Sequence, residues 1–318
     1  MIPANSFEEY TWQLDKRVGS FPESKELYEQ LYAMARQPEN AKSIIVCTQR
    51  YNIYKIPDDL GALFGKMYLF EPRGPYSQDH PSRVAFEAYL KTLGLNLLPC
   101  YIPNRLAAAK AGLGKFGRNN FIYDSRHGSY VWIDAWVVDR ELVYDAIEEE
   151  LSLPACNDGC NKCVEACPTK AMTGEFSMDR GRCVAHLGWN AKDLPDEETR
   201  AQMGLWMYGC DACQDACPLN QDKFTATDDL PLLAEYEKYL TLERLLEMDE
   251  DTYIEHIQPR FWFIGKDGLW LWKCNALRSM INSGESKYHG LIKQFCGHED
   301  SWVREMAQWG CRMLGLSV

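Results

Sequence analysis

The chain has 318 residues, of which 46% are hydrophobic, and its formal net charge is −12. This length predicts two or three structural units, and no apolar stretch approaches the roughly 18 residues of a membrane span. The first residues lack the regions of a secretory signal, so 13 cysteines predict a reducing, cytoplasmic setting and no membrane partner. Because Lys and Arg contacts to phosphate dominate nucleic-acid affinity, the acidic balance and the lack of a dense basic run disfavour nucleic acid.

Helical and strand patterns alternate through the first 150 residues. The predicted elements are a helix over Ser24–Arg36, a buried strand over Ala41–Thr48, a helix over Pro81–Leu93 and a strand over Leu95–Ile102. Gly94 lies just after the second helix, where a glycine commonly ends a helix. Residues 51–80 carry several tyrosines and prolines without a regular period. This aromatic stretch has two open interpretations, the wall of a cofactor pocket or ordinary packing.

A glycine-rich segment follows a predicted helix over Arg105–Ala111. It runs from Gly112 to Asn120 and contains the pattern G-x-G-x-x-G. A dinucleotide site needs a strand before these glycines and a helix after them; here the order is reversed, so NAD binding is excluded. The glycines allow positive φ and free N–H groups that bind anions, with Lys115 and Arg118 adding charge. A tight turn between helix and strand is the alternative.

The remainder of this first unit contains a turn, a strand and a helix. His127–Tyr130 predicts a turn that leads into a strand over Val131–Val138. Leu142–Leu153 predicts a helix with three consecutive glutamates at its surface.

Eight cysteines between Cys156 and Cys217 form the strongest pattern in the chain. Two runs each end in Cys-Pro, and in two-cluster ferredoxins the last cysteine of each run binds the cluster of the other run. This rule predicts two [4Fe–4S] clusters. The ligands of the first are Cys156, Cys160, Cys163 and Cys217, and those of the second are Cys167, Cys183, Cys210 and Cys213. Structural zinc does not require two Cys-Pro endings, and clustered cysteines are unlike a disulfide framework.

Helical patterns replace the cysteine spacing from about residue 227 onward. Aromatic and apolar residues recur from Phe261 to Met280 and again from Leu291 to Met313. These two units resemble HEAT-like helical repeats. Because two repeats are too few for an independent solenoid, we expect them to dock onto the rest of the protein.

Several separated motifs together resemble the cobalamin-dependent iron–sulfur reductases, the epoxyqueuosine reductases and reductive dehalogenases. They are Ala111-Gly-Leu-Gly-x-x-Gly117-Arg-Asn-Asn, Gly128-Ser-Tyr, the two Cys runs, Met178-Asp-Arg-Gly-Arg-Cys183, Gly209-Cys-Asp-Ala-Cys213 and Asp300-x-x-Val-Arg-Glu305. The resemblance covers roughly residues 40–318. It implies an α+β fold in three parts: a nitroreductase-like corrinoid-binding domain over 1–150, a ferredoxin-like module over 151–225 and HEAT-like helices over 226–318.

The resemblance also implies the cofactors and their contacts. A base-off corrinoid would receive electrons from the two clusters, with FMN in the same pocket as an alternative. The implied cofactor contacts are Gly112, Gly114, Lys115, Gly117, Arg118, Asn119, Gly128, Ser129 and Tyr130.

One position departs from the epoxyqueuosine reductases. Their implied proton donor is an aspartate, and counting back from Gly112 places Leu98 there, which carries no proton. The reductive dehalogenases imply instead a tyrosine acid beside a basic residue. Tyr101 and Arg105 have the spacing of one helical face, although Pro103 between them makes a turn an equal alternative.

These observations lead to two functional hypotheses. The first is a cobalamin-dependent reductase of a small organic substrate, other than the usual epoxyqueuosine reaction, with electrons supplied by a flavodoxin or ferredoxin. Tyr101 and Arg105 are its predicted catalytic residues. The second is an electron-transfer partner or reductive activator of another corrinoid protein, which needs no proton donor.

Overall fold

The computed structural model describes residues 1–4, 37–70, 81–144, 155–174, 177–230 and 233–317. The predicted helix Ser24–Arg36 and most of the predicted helix Leu142–Leu153 lie outside these residues.

A four-stranded antiparallel sheet forms the first part of the described chain. Its strands lie in the order β1 (Ile2–Pro3), β2 (Ser43–Arg50), β7 (Val131–Val138) and β4 (Leu97–Leu98). The strands β2 and β7 pair over their full length, from Ser43 opposite Val138 to Arg50 opposite Val131. Both were predicted from the sequence. The predicted strand Leu95–Ile102 shrinks to two residues, because Pro99 and Pro103 cannot donate to a ladder.

Helices cover both faces of this sheet. Successive strand residues point to opposite faces, so Val137 packs with the helix Asn104–Lys110 while Trp136 and Val138 pack near the helix Pro81–Thr92. Gly94 adopts φ 72° just after the helix Pro81–Thr92, as predicted. A small hairpin of β5 (Lys115–Phe116) and β6 (Ile122–Tyr123) follows the helix Asn104–Lys110.

The cysteine region consists of short elements. They are the helices Lys162–Ala166, Val184–Asn190, Glu197–Gln202 and Ala212–Asp215, the strands β8 (Met172–Gly174) and β9 (Ser177–Met178), and the 3-10 turns Arg180–Arg182 and Pro218–Asn220. Such brief elements bury little apolar surface of their own. This region therefore depends on its neighbours and its ligands for stability.

The last part of the chain is helical, as predicted. Its main helices are Leu233–Tyr236, Leu242–Glu247, Glu250–Thr252, Leu269–Ser283, His289–Phe295 and Ser301–Leu314, with a π-helical turn at Tyr253–Ile257 and 3-10 turns at Glu237–Tyr239 and Ser286–Tyr288. Phe261 lies in the irregular segment before the helix Leu269–Ser283 rather than in a repeat helix. None of the helices in the described residues is both long enough and apolar enough to cross a bilayer.

The largest hydrophobic core joins all three parts of the chain. Tyr208, which precedes the second Cys run, stacks on Trp272 at 5.5 Å between ring centroids, and Phe64 lies 5.4 Å from Phe261. The strand β3 (Tyr54–Lys55) pairs in parallel with β10 (Asp228–Asp229). The described aromatics of residues 51–70 therefore pack into this shared core, the second of their two interpretations, and the helical region docks as expected.

Candidate iron–sulfur and cofactor site

The two Cys runs face each other across the helices Lys162–Ala166 and Ala212–Asp215. The buried thiol of Cys163 interacts electrostatically with Cys156 and Cys217, and burial together with these neighbours raises its pKa. Cys217 belongs to the second run, so this grouping crosses between the runs. It contains three of the four ligands predicted for the first cluster.

A second group of thiols lies beside the first. Cys210 interacts with Cys183 and Cys167, and Cys213 interacts with Cys210 and Cys183. Burial is the largest cause of the raised pKa at both positions. Cys213 also interacts with Cys163, so the two groups are neighbours.

Backbone N–H groups are directed at two of these sulfurs. The N–H of Arg118 donates to Cys156 Sγ at 3.2 Å, and the N–H of Ala171 donates to Cys167 Sγ at 3.2 Å. Such bonds stabilise a thiolate, which is the form that binds iron. The described His, Cys, Asp and Glu side chains include no group of three that converges on a single metal ion. Two neighbouring groups of thiols that receive backbone N–H bonds are suited to thiolate ligation of iron–sulfur clusters, and the glycine-rich segment supplies one of these N–H groups.

A cavity of about 550 Å³ lies between the glycine-rich segment and the chain after Cys217. Gly112, Gly114 and Lys115 form one wall, and Pro218 and Leu219 form another. Gly112 has φ +69°, and a Cβ built on it would meet no atom within 4 Å. Ala155, next to Cys156, also lines the cavity, so its occupant would lie beside the first cysteine group. The size and the mixed lining are typical of cofactor sites.

Tyr123 connects this cavity to the first cysteine group. It lines the cavity, and its hydroxyl hydrogen-bonds to the side chain of Cys217. Asn119 Nδ2 donates to the same hydroxyl oxygen at 2.9 Å. Since that oxygen already accepts a bond, its own hydrogen is available for Cys217. Burial and the neighbouring Cys217 raise the pKa of Tyr123, which keeps it in the protonated, donating form.

Three of the glycines predicted to contact a cofactor are required by close packing within the protein. A Cβ on Gly114 would lie 2.6 Å from Ile122 Cγ2, and one on Gly117 would lie 2.3 Å from the Tyr123 ring. A Cβ on Gly128 would lie 2.2 Å from Asn220 Oδ1. Only Gly114 of these three also lines the cavity. The glycine pattern therefore marks tight packing at these positions, and their contact with a cofactor stays a prediction.

The other predicted cofactor contacts bind the cluster module, most of them at the second Cys run. Ser129 Oγ donates to Gln214 Oε1 at 2.8 Å, and the Ser129 N–H donates to Asn220 Oδ1 at 2.8 Å. The Tyr130 hydroxyl donates to Asp215 at 3.3 Å. Asn119 reaches the carbonyl of Cys213 at 3.1 Å, and Arg118 Nη1 donates to Asn161 at 2.9 Å. These side chains hold the cluster module against the first part of the chain.

Lys66 completes this interface, a role that was not predicted from the sequence. Its ammonium lies 2.7 Å from Asp215 Oδ1, and its backbone N–H donates to Asp211 Oδ2 at 2.7 Å. Burial alone would lower the pKa of Lys66, but the two carboxylates outweigh burial and raise it. Lys66 has no local motif. The acidic residues inside the second Cys run were the available signal that a cation must approach.

The two predicted catalytic residues do not lie on one helix. Tyr101 lies outside regular secondary structure, and the helix begins at Asn104 after Pro103, so the two side chains do not share a helical face. The catalytic roles of Tyr101 and Arg105 stay predictions. Arg105 Nη1 donates to the carbonyl of Asn120 at 2.8 Å, which fastens the end of the glycine-rich segment. Leu98 lies on β4 and packs against the core under the helix Asn104–Lys110.

Comparison with known proteins identifies the cysteine region. Residues 155–220 match the family model described as a 4Fe-4S double cluster binding domain, as the cysteine pattern predicted. The epoxyqueuosine reductase of Cyclobacterium marinum is 32% identical over 120 residues, covering 38% of this chain and 37% of that protein. That of Prochlorococcus marinus is 32% identical over 171 residues, covering 53% and 52%. The chain thus spans about half the length, or less, of these curated relatives.

The fold has a solved counterpart. A crystal structure of an epoxyqueuosine reductase with an epoxyqueuosine-modified tRNA stem loop superposes with a TM-score of 0.69, covering 87% of this chain and 74% of that chain at 22% identity. This likeness confirms the mixed α and β fold with a double-cluster region. The nitroreductase-like and HEAT-like descriptions stay predictions.

Two expectations from the sequence are wrong. The relatives are epoxyqueuosine reductases, which contradicts a substrate outside that reaction and, equally, a mere electron-transfer role. A reductase of the same fold was solved with a tRNA stem loop, which contradicts the expectation that a nucleic-acid partner is disfavoured. Net charge misled because nucleic-acid affinity depends on local cations rather than on the total.

Proposed function

We propose that this chain is an iron–sulfur reductase that acts on epoxyqueuosine in tRNA. The observation that carries the proposal is the cavity between the glycine-rich segment and the loop after Cys217. A group bound there lies against the chain that carries the first cysteine set. The likeness to the named reductases supplies the reaction.

The electron path follows from the two cysteine groups. Cys156, Cys160, Cys163 and Cys217 would hold the cluster beside the cavity, called here the proximal cluster. Cys167, Cys183, Cys210 and Cys213 would hold the distal cluster. The crossed electrostatic pairs Cys163 with Cys217 and Cys210 with Cys167 support this assignment. Electrons would pass from the distal to the proximal cluster and then into the cavity.

A corrinoid is the proposed occupant of the cavity. Gly112 leaves open space at the wall, while Ser125, Gln221 and Lys223 offer polar groups for amide side chains. When bound, a corrinoid supplies a strongly reducing cobalt centre. Tyr123 would serve as the contact between this cofactor and the proximal cluster. FMN is the alternative occupant, with Lys115 near its phosphate.

The reaction needs a proton source as well as electrons. Removing an epoxide oxygen as water takes two electrons and two protons. Leu98 cannot provide a proton, so we assign this role to the cavity wall. Lys115 lines the cavity with an exposed ammonium group. It would stabilise the developing alkoxide and donate a proton to it. Asp124 is less suited, because its Oδ1 already accepts the N–H groups of Arg126 and His127 at 2.8 Å.

The tRNA backbone would meet cations near the cavity mouth. Lys115 and Arg126 are exposed, and Lys223 lies across the cavity with its ammonium 3.0 Å from the carbonyl of Ser125. These cations form a local positive site on an acidic chain. Phosphate contacts of this kind position a substrate without reading its sequence.

The test is an anaerobic assay of the protein reconstituted with iron, sulfide and cobalamin. The substrate is a tRNA stem loop that contains epoxyqueuosine, dithionite is the reductant, and nucleosides are measured by mass spectrometry. We expect conversion to the deoxygenated nucleoside. Lys115→Met should lower the rate by about 100-fold, which is the low end for loss of a general acid.

Lys115→Arg is the matched control, because it retains the charge for phosphate binding. A Lys115→Met defect confined to KM would assign Lys115 to tRNA binding instead. Protein that holds both clusters and cobalamin but converts no substrate would contradict the proposed reaction.

A further inference from the structure

The longest helix of the C-terminal region carries a buried polar stripe. Leu269–Ser283 is mostly apolar and buried, yet Asn275, Arg278, Ser279 and Asn282 lie along it. Their spacing of three and four residues places them on one helical face. Buried polar groups require partners, so this face must meet polar chain.

The stripe binds the two chain segments that carry distal cysteines. Asn275 Nδ2 donates to the carbonyl of Gly188 at 3.0 Å, in the helix that begins directly after Cys183. Arg278 Nη1 donates to Gly204 at 2.8 Å, and its Nη2 donates to Trp206, four residues before Cys210. Ser279 and Asn282 add bonds to the carbonyls of Leu205 and Gly204 at 2.7 and 3.0 Å.

Arg278 contributes a charge as well as hydrogen bonds. Its side chain is only 1% exposed, and its acceptors are neutral carbonyls and the amide oxygen of Asn275. Within the described part of the chain it forms no ion pair with a carboxylate. Burial lowers its pKa to about 10, and the groups that oppose this shift are the thiols of Cys274 and Cys210. A buried cation without an anionic partner is strongly unfavourable.

We propose that Arg278 is the buried countercharge of the distal cluster and favours its reduced state. Four thiolates make a [4Fe–4S] cluster anionic, and reduction by one electron adds a further negative charge. A cation held at fixed distance in a medium of low dielectric stabilises the more negative state. Arg278 therefore acts as a positioning residue that raises the potential of the distal cluster. The inference rests on the proposed ligand set of that cluster.

Arg260 provides a matched control elsewhere in the same core. It is 9% exposed, donates to the carbonyl of Leu69 at 2.6 Å and lies 3.5 Å from the centroid of the Tyr236 ring. No cysteine is among the groups that influence its pKa, which burial lowers. Replacing it removes a buried arginine without removing a charge near a cluster.

The experiment compares Arg278→Gln, Arg278→Lys and Arg260→Gln with the wild type after anaerobic reconstitution. Iron and sulfide contents are measured first, and the clusters are then titrated with dithionite under EPR. We expect Arg278→Gln to decrease the reduced-to-oxidised ratio of the distal cluster by about tenfold at a given potential, which equals about 59 mV for one electron. Arg278→Lys keeps the positive charge, so its distal potential should stay close to that of the wild type. Arg260→Gln should leave the distal potential unchanged.

Two outcomes overturn the inference. If Arg278→Gln has its full iron content and an unchanged distal potential, the inference is refuted while the ligand assignment stands. Wild-type protein that binds only one cluster refutes the ligand assignment and this inference with it. Should Arg278→Gln lose iron, the same titration on Arg278→Met decides the question, because methionine keeps the packing of the stem.

Discussion

The two Cys runs share a spacing but have very different surroundings. Both read Cys-x2-Cys-x3-Cys-Pro, yet Asp158, Gly159 and Lys162 around the first run are exposed to solvent. In the second run Asp211 and Gln214 are 3% and 2% exposed. The first run contacts the fold at few points, such as Arg118 N–H to Cys156. The same motif thus occupies a surface position in one case and an internal one in the other.

The second run is internal because every part of the chain contributes to its environment. Lys66 pairs with its carboxylates, Ser129 binds Gln214, and Arg278 binds the carbonyls of Gly204 and Trp206 just before Cys210. Two Cys runs with identical ligand spacing can therefore depend to different degrees on the surrounding fold. Substitutions in the second run should destabilise the whole fold, whereas substitutions in the first run should disturb only the structure around that run.

The largest effect should come from a cysteine that belongs to one run but serves the other. Cys167→Ala should remove the distal cluster and leave the proximal one, so that iron falls from about eight to about four atoms per chain, since each cluster holds four. In EPR the coupled spectrum of the reduced wild type should become one isolated S = 1/2 signal. Retention of both clusters with unchanged coupling would show that Cys167 is not a ligand.

Two glycine substitutions separate backbone strain from interface contact. Gly128 and Gly112 have φ of +63° and +69°, so alanine at either position costs about 1–2 kcal/mol of strain. Only at Gly128 does the new Cβ meet a buried partner, Asn220. Gly128→Ala should therefore destabilise the protein by about 3 kcal/mol or more, measured by anaerobic denaturant unfolding. Equal losses in the two variants would disprove the role of Gly128 at the interface.

A smaller change is expected on the proximal side. Tyr123→Phe removes the hydroxyl that donates to Cys217 while it preserves the ring against Gly117. Loss of a hydrogen bond to a cluster sulfur should make the reduced state less favourable. We expect the proximal potential to become more negative by up to about 59 mV, measured by EPR titration. The distal potential serves as the internal control, and a shift there instead would place Tyr123 beside the wrong cluster.

The smallest effect should arise at an exposed helix start remote from both runs. Asp196 accepts the Thr199 N–H at 2.8 Å, and this bond lowers its pKa. Asp196→Ala should cost about 1 kcal/mol, measured by denaturant unfolding, without a change in either potential. Because the folded pKa lies below the unfolded one, this contribution exists above the unfolded pKa and disappears as the pH falls through the folded value. A difference between variant and wild type that persists in acid would contradict this account.

Local patterns predicted the regular elements well. The strands Ser43–Arg50 and Val131–Val138 and the helix Pro81–Thr92 follow from apolar periodicity and from Gly94 as a stop. The cysteine spacing likewise predicted the double-cluster region. These elements and the cysteine spacing are determined by residues close together in the sequence, so the sequence alone is enough to predict them.

The features that escaped prediction depend on distant partners. Gly128 is needed because Asn220 packs on it, and Arg278 is placed by the carbonyls of Gly204 and Trp206. Neither pairing can be predicted from the local sequence around these residues. Tyr101 was placed with Arg105 because the spacing fits a helix, but Pro103 delays the helix start. The polar stripe Asn275, Arg278, Ser279 and Asn282 within the helix Leu269–Ser283 was the available clue to a buried partner.

The shared core also has a consequence for the order of assembly during synthesis. Phe64 packs on Phe261 and Trp272, which lie far along the chain from it. Contacts of such wide sequence separation form late in folding, and a chain emerging from the ribosome cannot make them until the helix Leu269–Ser283 has been translated. The second Cys run precedes this helix in the sequence, so the distal cysteines are held in place only once the helix has docked. Iron delivered earlier would meet an open, incomplete thiol site, so we expect cluster insertion to follow translation of this helix.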